Sequence, residues 1–211
     1  MSIKLSALAL GLGLAFGASG AMAQVSATIE QRGSFNDSAI LQDDVSGSSV
    51  SISVRGDRND ADVTQDEVSN STVWVTQSGD NGDVEVDQED GTNLLATVTQ
   101  RWGWGNEVEI DQEGRNATAH VTQGGSYNDA EIDQSGSSSY FGWGSSGVAA
   151  YVTQYGRGND AEITQTGRNL TAHINQYGSY NEAEISQRST RPHVASISQW
   201  GYRNDASITQ R

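Results

Sequence analysis

An aliphatic residue followed two positions later by glutamine recurs along almost the whole chain. Gln31, Gln42, Gln65, Gln77, Gln88, Gln100, Gln112, Gln123, Gln134, Gln154, Gln165, Gln176, Gln187, Gln199 and Gln210 mark the phase, at spacings of 11 or 12 residues with two exceptions. The 23-residue gap from Gln42 to Gln65 holds a unit with Val54 at the glutamine position, and the 20-residue gap from Gln134 to Gln154 holds an insertion. Ile or Val stands two residues before each marker, from Ile29 and Ile40 to Ile208, and a small or aliphatic residue such as Ala61, Ala130 or Ala206 stands four before. A period of two places all three on one face of a β-strand. The positions between them are Thr, Ser, Asp and Glu, which face water. The pattern predicts sixteen short, half-buried strands.

The connections alternate in kind. After every odd-numbered strand a compact Gly/Asn turn recurs, as in Gln123-Gly124-Gly125-Ser126-Tyr127-Asn128; Gly and Asn accept the positive φ that tight reversals demand. The even-numbered strands are expected to end in looser connections, and Pro192 falls in one of these, where its missing N–H breaks no ladder. The chain thus reads as eight strand–turn–strand units of about 22–23 residues. One unit cannot fold alone. Its two Ile/Val side chains contribute roughly 1.5–3 kcal/mol each, against an ordering entropy of roughly 1–2 kcal/mol for every residue fixed.

Stacking resolves this, because equivalent strands can pair in parallel while inward Gln and Asn amides satisfy one another between turns. The expected fold is all-β: a two-sheet β-solenoid of about eight stacked repeats, cross-β on assembly. The expected assembly core comprises Gln31, Ile40, Gln42, Gln100, Asn106, Gln112, Gln123, Asn128, Ile132, Gln134, Gln154, Asn159, Ile163, Gln165, Gln176, Asn181, Ile185, Gln187, Gln199, Asn204, Ile208 and Gln210. The first repeat begins at Ala27 and the last ends at Gln210, so two open edges without a polar cap are expected, each able to receive a second molecule as the next rung.

Composition bounds the setting. Met1 to Lys4 is a short basic start, Leu5 to Phe16 is apolar, and Ala21-Met22-Ala23 is a small-x-small cleavage signal, so residues 1–23 read as a secretory signal peptide and 24–211 as one repeat domain. No later segment is apolar enough to span a bilayer. The net charge of −15 becomes −16 once Lys4 is removed, which argues against nucleic-acid binding and docking on anionic lipid. With no Cys, neither disulfides nor thiolate metal sites hold the fold. No cofactor or metal is assigned, and no Ser/His/Asp or Gly-x-Ser-x-Gly arrangement suggests an enzyme.

Three features stand outside the core. Asp62, Glu85, Glu109, Glu131, Glu162 and Glu184 lie three residues before successive even-strand glutamines, forming an acidic ladder on an outer face. It reads equally as a gate that delays assembly until acid, salt or divalent cations relieve it and as a solvated face that keeps the monomer soluble. Trp74, His120, Tyr151 and His173 form an outer stripe on the odd strands, either a binding surface or simply β-favouring residues. The insertion 135–147 carries Tyr140, Phe141 and Trp143, and reads as an adhesive loop or a tolerated flexible insert.

The string Val-Thr-Gln-x-Gly-x-x-Asn-x-Ala-x-Ile-x-Gln at 121–134 recurs from Val152 to Gln165 and, opening with Ile174-Asn175, to Gln187. It resembles the curlin repeat of curli amyloid subunits. The resemblance implies a secreted, extracellular biofilm-matrix fibre that polymerises with itself, is exported through an outer-membrane channel and is started by a nucleator protein. Two departures are a leader of only Gln24-Val25-Ser26 before the repeats, where many curlins have a Gly-rich one, and about eight repeats instead of the usual five. The regular repeats 5 to 7 favour a major subunit; Arg188, Arg191, Arg203 and Arg211 resemble the basic last repeats of nucleators. The rival outside this class is a monomeric solenoid binding ice or carbohydrate.

Overall fold

The computed structural model describes residues 24–136 and 147–211. The expected signal peptide and the aromatic residues Tyr140, Phe141 and Trp143 of the insertion lie outside the described residues.

Among the described residues, sixteen strands alternate between two sheets. The first sheet holds β1 (Ser26–Arg32), β3 (Ser49–Arg55), β5 (Thr72–Asp80), β7 (Leu95–Trp104), β9 (Ala117–Ser126), β11 (Val148–Arg157), β13 (Leu170–Ser179) and β15 (His193–Tyr202), paired in that order. The second holds β2 (Ala39–Asp43), β4 (Asp62–Asp66), β6 (Asp83–Thr92), β8 (Glu107–Arg115), β10 (Asp129–Gly136), β12 (Asp160–Gly167), β14 (Glu182–Ser189) and β16 (Asp205–Gln210), again in order. Every pairing is parallel and joins strands two apart in sequence, so the chain winds as a β-solenoid of eight turns, as the periodicity predicts.

The register follows the repeat. Val121, Val152, Ile174 and Ile197 are successive partners, and so are Gln123, Gln154, Gln176 and Gln199. A one-residue slip would turn all of them outward, which is why a buried face fixes register strongly. The Ile, Val and Ala columns of the two sheets meet as one continuous core from Val50 to Ile197, with Ile29, Ile40, Ala206 and Ile208 of the edge strands half-buried against it.

The connections after the even strands differ from the expectation of looseness. Val68 and Leu94 within them, and Ala117, Val148 and Leu170 where the next strands begin, are buried as a second apolar column, with Val45 packed against it. Ser48 and Ser71 are fully buried beside that column and their hydroxyls accept from the N–H of Ser71 and Leu94 one turn on. The stacking rule that orders the strands therefore orders these corners too. At the compact turns, glycine is required: Gly156 and Gly178 have φ of 126° and 128°, and a Cβ on Gly156 would run into the carbonyl oxygen of Gly178 in the next turn.

Candidate assembly site

The even sheet carries an unbroken amide ladder along its inner face. Gln42 Nε2 donates to Gln65 Oε1 at 2.7 Å, Gln65 to Gln88 at 2.8 Å, and the chain of bonds continues through Gln112, Gln134, Gln165 and Gln187 to Gln210. The second N–H of these amides reaches across to the odd strands, as from Gln134 to the Thr118 carbonyl and from Gln187 to the Thr171 carbonyl. From Gln65 to Gln187 every member is buried, which a lone amide would resist by roughly 1–3 kcal/mol. The ladder removes that cost, because each rung completes the one before it.

The odd sheet has the same ladder with one gap. Gln77 donates to Gln100, and the bonds run on through Gln123, Gln154 and Gln176 to Gln199. Val54 occupies the preceding position. Having no amide beneath it, Gln77 Oε1 is buried without a hydrogen bond, and Gln31 turns its amide to the Ser38 hydroxyl instead. A third ladder lies at the compact turns. Asn128 Nδ2 and N–H donate to Asn106 Oδ1, and Asn159, Asn181 and Asn204 repeat the contact upward. It extends below through Asn36 and Asn59, but skips Gly82, whose N–H bonds to Asn59 Oδ1 while its missing side chain leaves room for Gln100 Oε1.

Of the expected core residues, Gln100 to Gln199 are buried, whereas Gln31, Ile40, Gln42, Asn204, Ile208 and Gln210 are half-buried. These last six sit on, or beside, the strands with a neighbour on one side only: β1 and β2 at one end, β15 and β16 at the other. Among the described residues nothing covers either end. Asn36, Asn59, Gln65, Gln77 and Gln88 also belong to the ladders; their place was visible in the same phase.

Residues 103–136, 149–167 and 158–188 match the family described as the curlin associated repeat. Over these residues the chain is similar to curlin repeats. The match suggests a curli-type, amyloid-related protein. No curated protein and no solved structure matches it.

The outer faces of the stacked repeats differ sharply. The predicted acidic ladder is in register from Asp62 through Glu85, Glu109, Glu131 and Glu162 to Glu184. Beside it runs a second column that the sequence reading missed: Asp37, Asp60, Asp83, Glu107, Asp129, Asp160, Glu182 and Asp205, one acid in every turn. Its signal was an acid five positions before each even-strand glutamine. A third row, Asp87, Asp111 and Asp133, completes a lattice on β6, β8 and β10. Burial, reinforced by Asp87, Glu109 and Asp133, pushes Asp111 up to about 6. Burial with Glu107, Asp160 and Glu109 does the same to Asp129, also to about 6. Asp60, Asp83, Asp160, Glu85 and Glu131 are raised as well, each chiefly by burial.

The odd face carries rings and few acids. Tyr151 stacks between His120 and His173 at centroid distances of 5.4 and 4.7 Å, and Tyr155, Tyr177 and Trp200 stack in a parallel row. Burial lowers the His120 pKa. Trp74 stands apart from these stacks, exposed. Among the described residues no cluster of His, Asp or Glu is arranged to hold a metal ion. An open groove past Ser135, Thr166, Arg188, Ser189 and Arg211 contains no Asp, Glu or His.

Proposed function

We propose that this chain is the major structural subunit of an extracellular curli-like fibre, exported by residues 1–23 and polymerising end to end through its edge strands. One observation carries the reading: among the described residues, the outermost strands of both sheets present backbone groups and Gln/Asn amides that repeat the pattern the interior turns satisfy with one another. A second copy supplies the missing rung, an open strand addition that propagates as a filament. Its setting is biofilm matrix and surface attachment; its partners are copies of itself, a nucleator and a secretion channel. It acts by packing, with no catalytic chemistry, cofactor, nucleic acid or membrane span. The acidic columns slow addition until acid or salt weakens their repulsion, and the same columns keep the monomer soluble.

Incubating residues 24–211 while following thioflavin T fluorescence and electron micrographs tests the reading. Fibres with a 4.7–4.8 Å reflection are expected; a chain that remains monomeric for days in mild acid would instead be a stand-alone solenoid. The basic last turn, with Arg188, Arg191, Arg203 and Arg211, favours a second reading as the nucleator. Substoichiometric amounts would then start assembly of another curlin-repeat chain faster than its own.

A further inference from the structure

We propose that the two ends of the solenoid are keyed to each other, head to tail and in one register, by the direction of their amide ladders and by a reversal of charge along one column of the acidic sheet. This rests on the fibre reading above. The head is the end formed by β1 and β2, and the tail is the end formed by β15 and β16.

The ladders have a direction. Within the molecule each ladder glutamine donates its Nε2 tailward, as Gln165 does to Gln187 and Gln187 to Gln210. Each asparagine Oδ1 accepts from the rung on its tail side, as Asn181 does from Asn204. At the tail, Gln210 and Gln199 keep their bonds to the Val194 and Glu182 carbonyls, and their remaining N–H points where the next glutamine would stand. Carrying the strand register forward by one rung places Gln42 of a second copy over Gln210, Gln31 over Gln199, and Asn36 over Asn204. Carbonyl oxygens then meet N–H groups in all three ladders. Tail-to-tail contact would oppose donor to donor in the glutamine ladders.

The charges select the same arrangement. Inside the even sheet like meets like, as where Glu85 pairs with Glu109 and Glu89 with Glu113. The column that follows the glutamines changes sign along the molecule. It begins with Asp43, Asp66, Glu89 and Glu113 at the head, passes through Ser135 and Thr166, and ends with Arg188 and Arg211 at the tail. In the next-rung register, Arg211 lies under Asp43 of the second copy, with Arg188 and Asp66 one rung further from the junction on either side. The glutamate column is neutral at both ends, Ala39 at the head and Ser207 at the tail. Only Asp205 under Asp37 keeps a like-charge contact. At the compact turns, Arg203 comes to lie under Phe35 of the second copy, on the side of the ring opposite to Arg58, which stands 5.8 Å from its centroid.

The test uses two charge-swapped chains of residues 24–211, D43R/D66R at the head and R188D/R211D at the tail. Each alone opposes like charges at its own junctions, and its seeded elongation at low salt is expected to fall about five- to tenfold. Mixed in equal amounts, the altered head of one variant meets the altered tail of the other, and the unaltered tail of the first meets the unaltered head of the second. Opposite charges then face each other at every mixed junction, so elongation recovers and the two chains alternate along the fibre. High salt narrows the differences. The neutral chains D43N/D66N and R188Q/R211Q are slowed less and gain less on mixing; circular dichroism of each monomer checks that it folds. A mixture no faster than its separate components, or variants that elongate like the parent, overturns the keying while leaving the fibre intact. A parent chain that makes no fibres in the same assay removes the fibre reading itself.

Discussion

The first two turns and the turns from β9 to β14 are built on one plan but finished differently. In β9 to β14 the strands are 8–10 residues long, the glutamine and asparagine ladders are continuous, and the inward side chains are almost wholly removed from water. In β1 to β4 the strands are 5–7 residues, Val54 interrupts the odd ladder, and Gln31 bonds within its own turn. Their backbone pairing is nonetheless parallel and in register. Backbone ladders thus set the coil, and the amide ladders add local tightness that one turn can lack without losing its place. The matched curlin repeats all lie in residues 103–188, inside or beside the tighter region.

The largest expected contrast is in the aliphatic columns. Ile163 is fully buried, whereas Ile29 on the edge strand is half-buried. Ile163→Ala should lower stability by about 3–4 kcal/mol and Ile29→Ala by about 1 kcal/mol. Native-state hydrogen exchange of the monomer reads each locally, which suits a repeat fold whose turns open separately. Equal losses at both sites would erase the distinction between the regions.

Next come the amides. Gln165→Leu strips the partner from Gln134 Nε2 and Gln187 Oε1, and about 2 kcal/mol of local protection should disappear around β10 to β14. Val54→Gln runs the other way. A glutamine there can donate to Gln77 Oε1, and slower exchange in β3 and β5, by about 1 kcal/mol, is expected. If both substitutions are silent, amide ladders contribute nothing beyond the backbone.

The smallest effect concerns pH. Burial and neighbouring carboxylates raise Asp111 and Asp129 to about 6 in the fold, against 3.8 for an unperturbed aspartate. Acids raised in this way bind more protons folded than unfolded, so their contribution to stability is complete below about 3.8 and is lost as pH rises through about 6. Both groups are partly solvated, and screening limits the gain to about 1 kcal/mol in total. After correction for intrinsic exchange, β8 and β10 should tighten between pH 7.5 and 4.5 more than β2 does, and Asp111→Asn should remove part of the difference.

The strands, their faces and their stacking order were legible because a period of two fixes which side chains point inward, and a repeat of 22–23 residues fixes which strand lies above which. Two columns escaped. Leu94 and Leu170 keep the inward phase, six residues before Gln100 and Gln176, but stand at or before the first strand residue, and only stacking reveals that they touch each other and Val68. The acids at Asp37 to Asp205 fall at strand entrances, outside the alternating stretch that set the phase. The direction of the amide ladders was not legible at all. Which way a glutamine turns its carbonyl depends on the neighbouring rung, and the unpaired Gln77 Oε1 becomes visible only once Val54 is placed beneath it.

The central claim is that the inward aliphatics and amides are satisfied only between copies of the same motif. Comparing amide exchange of β1, β2, β15 and β16 in the monomer and in the fibre tests it most directly. These strands should exchange readily in the monomer and become as protected as β9 to β14 once assembled. Edge strands that stay open to exchange in mature fibres would contradict it.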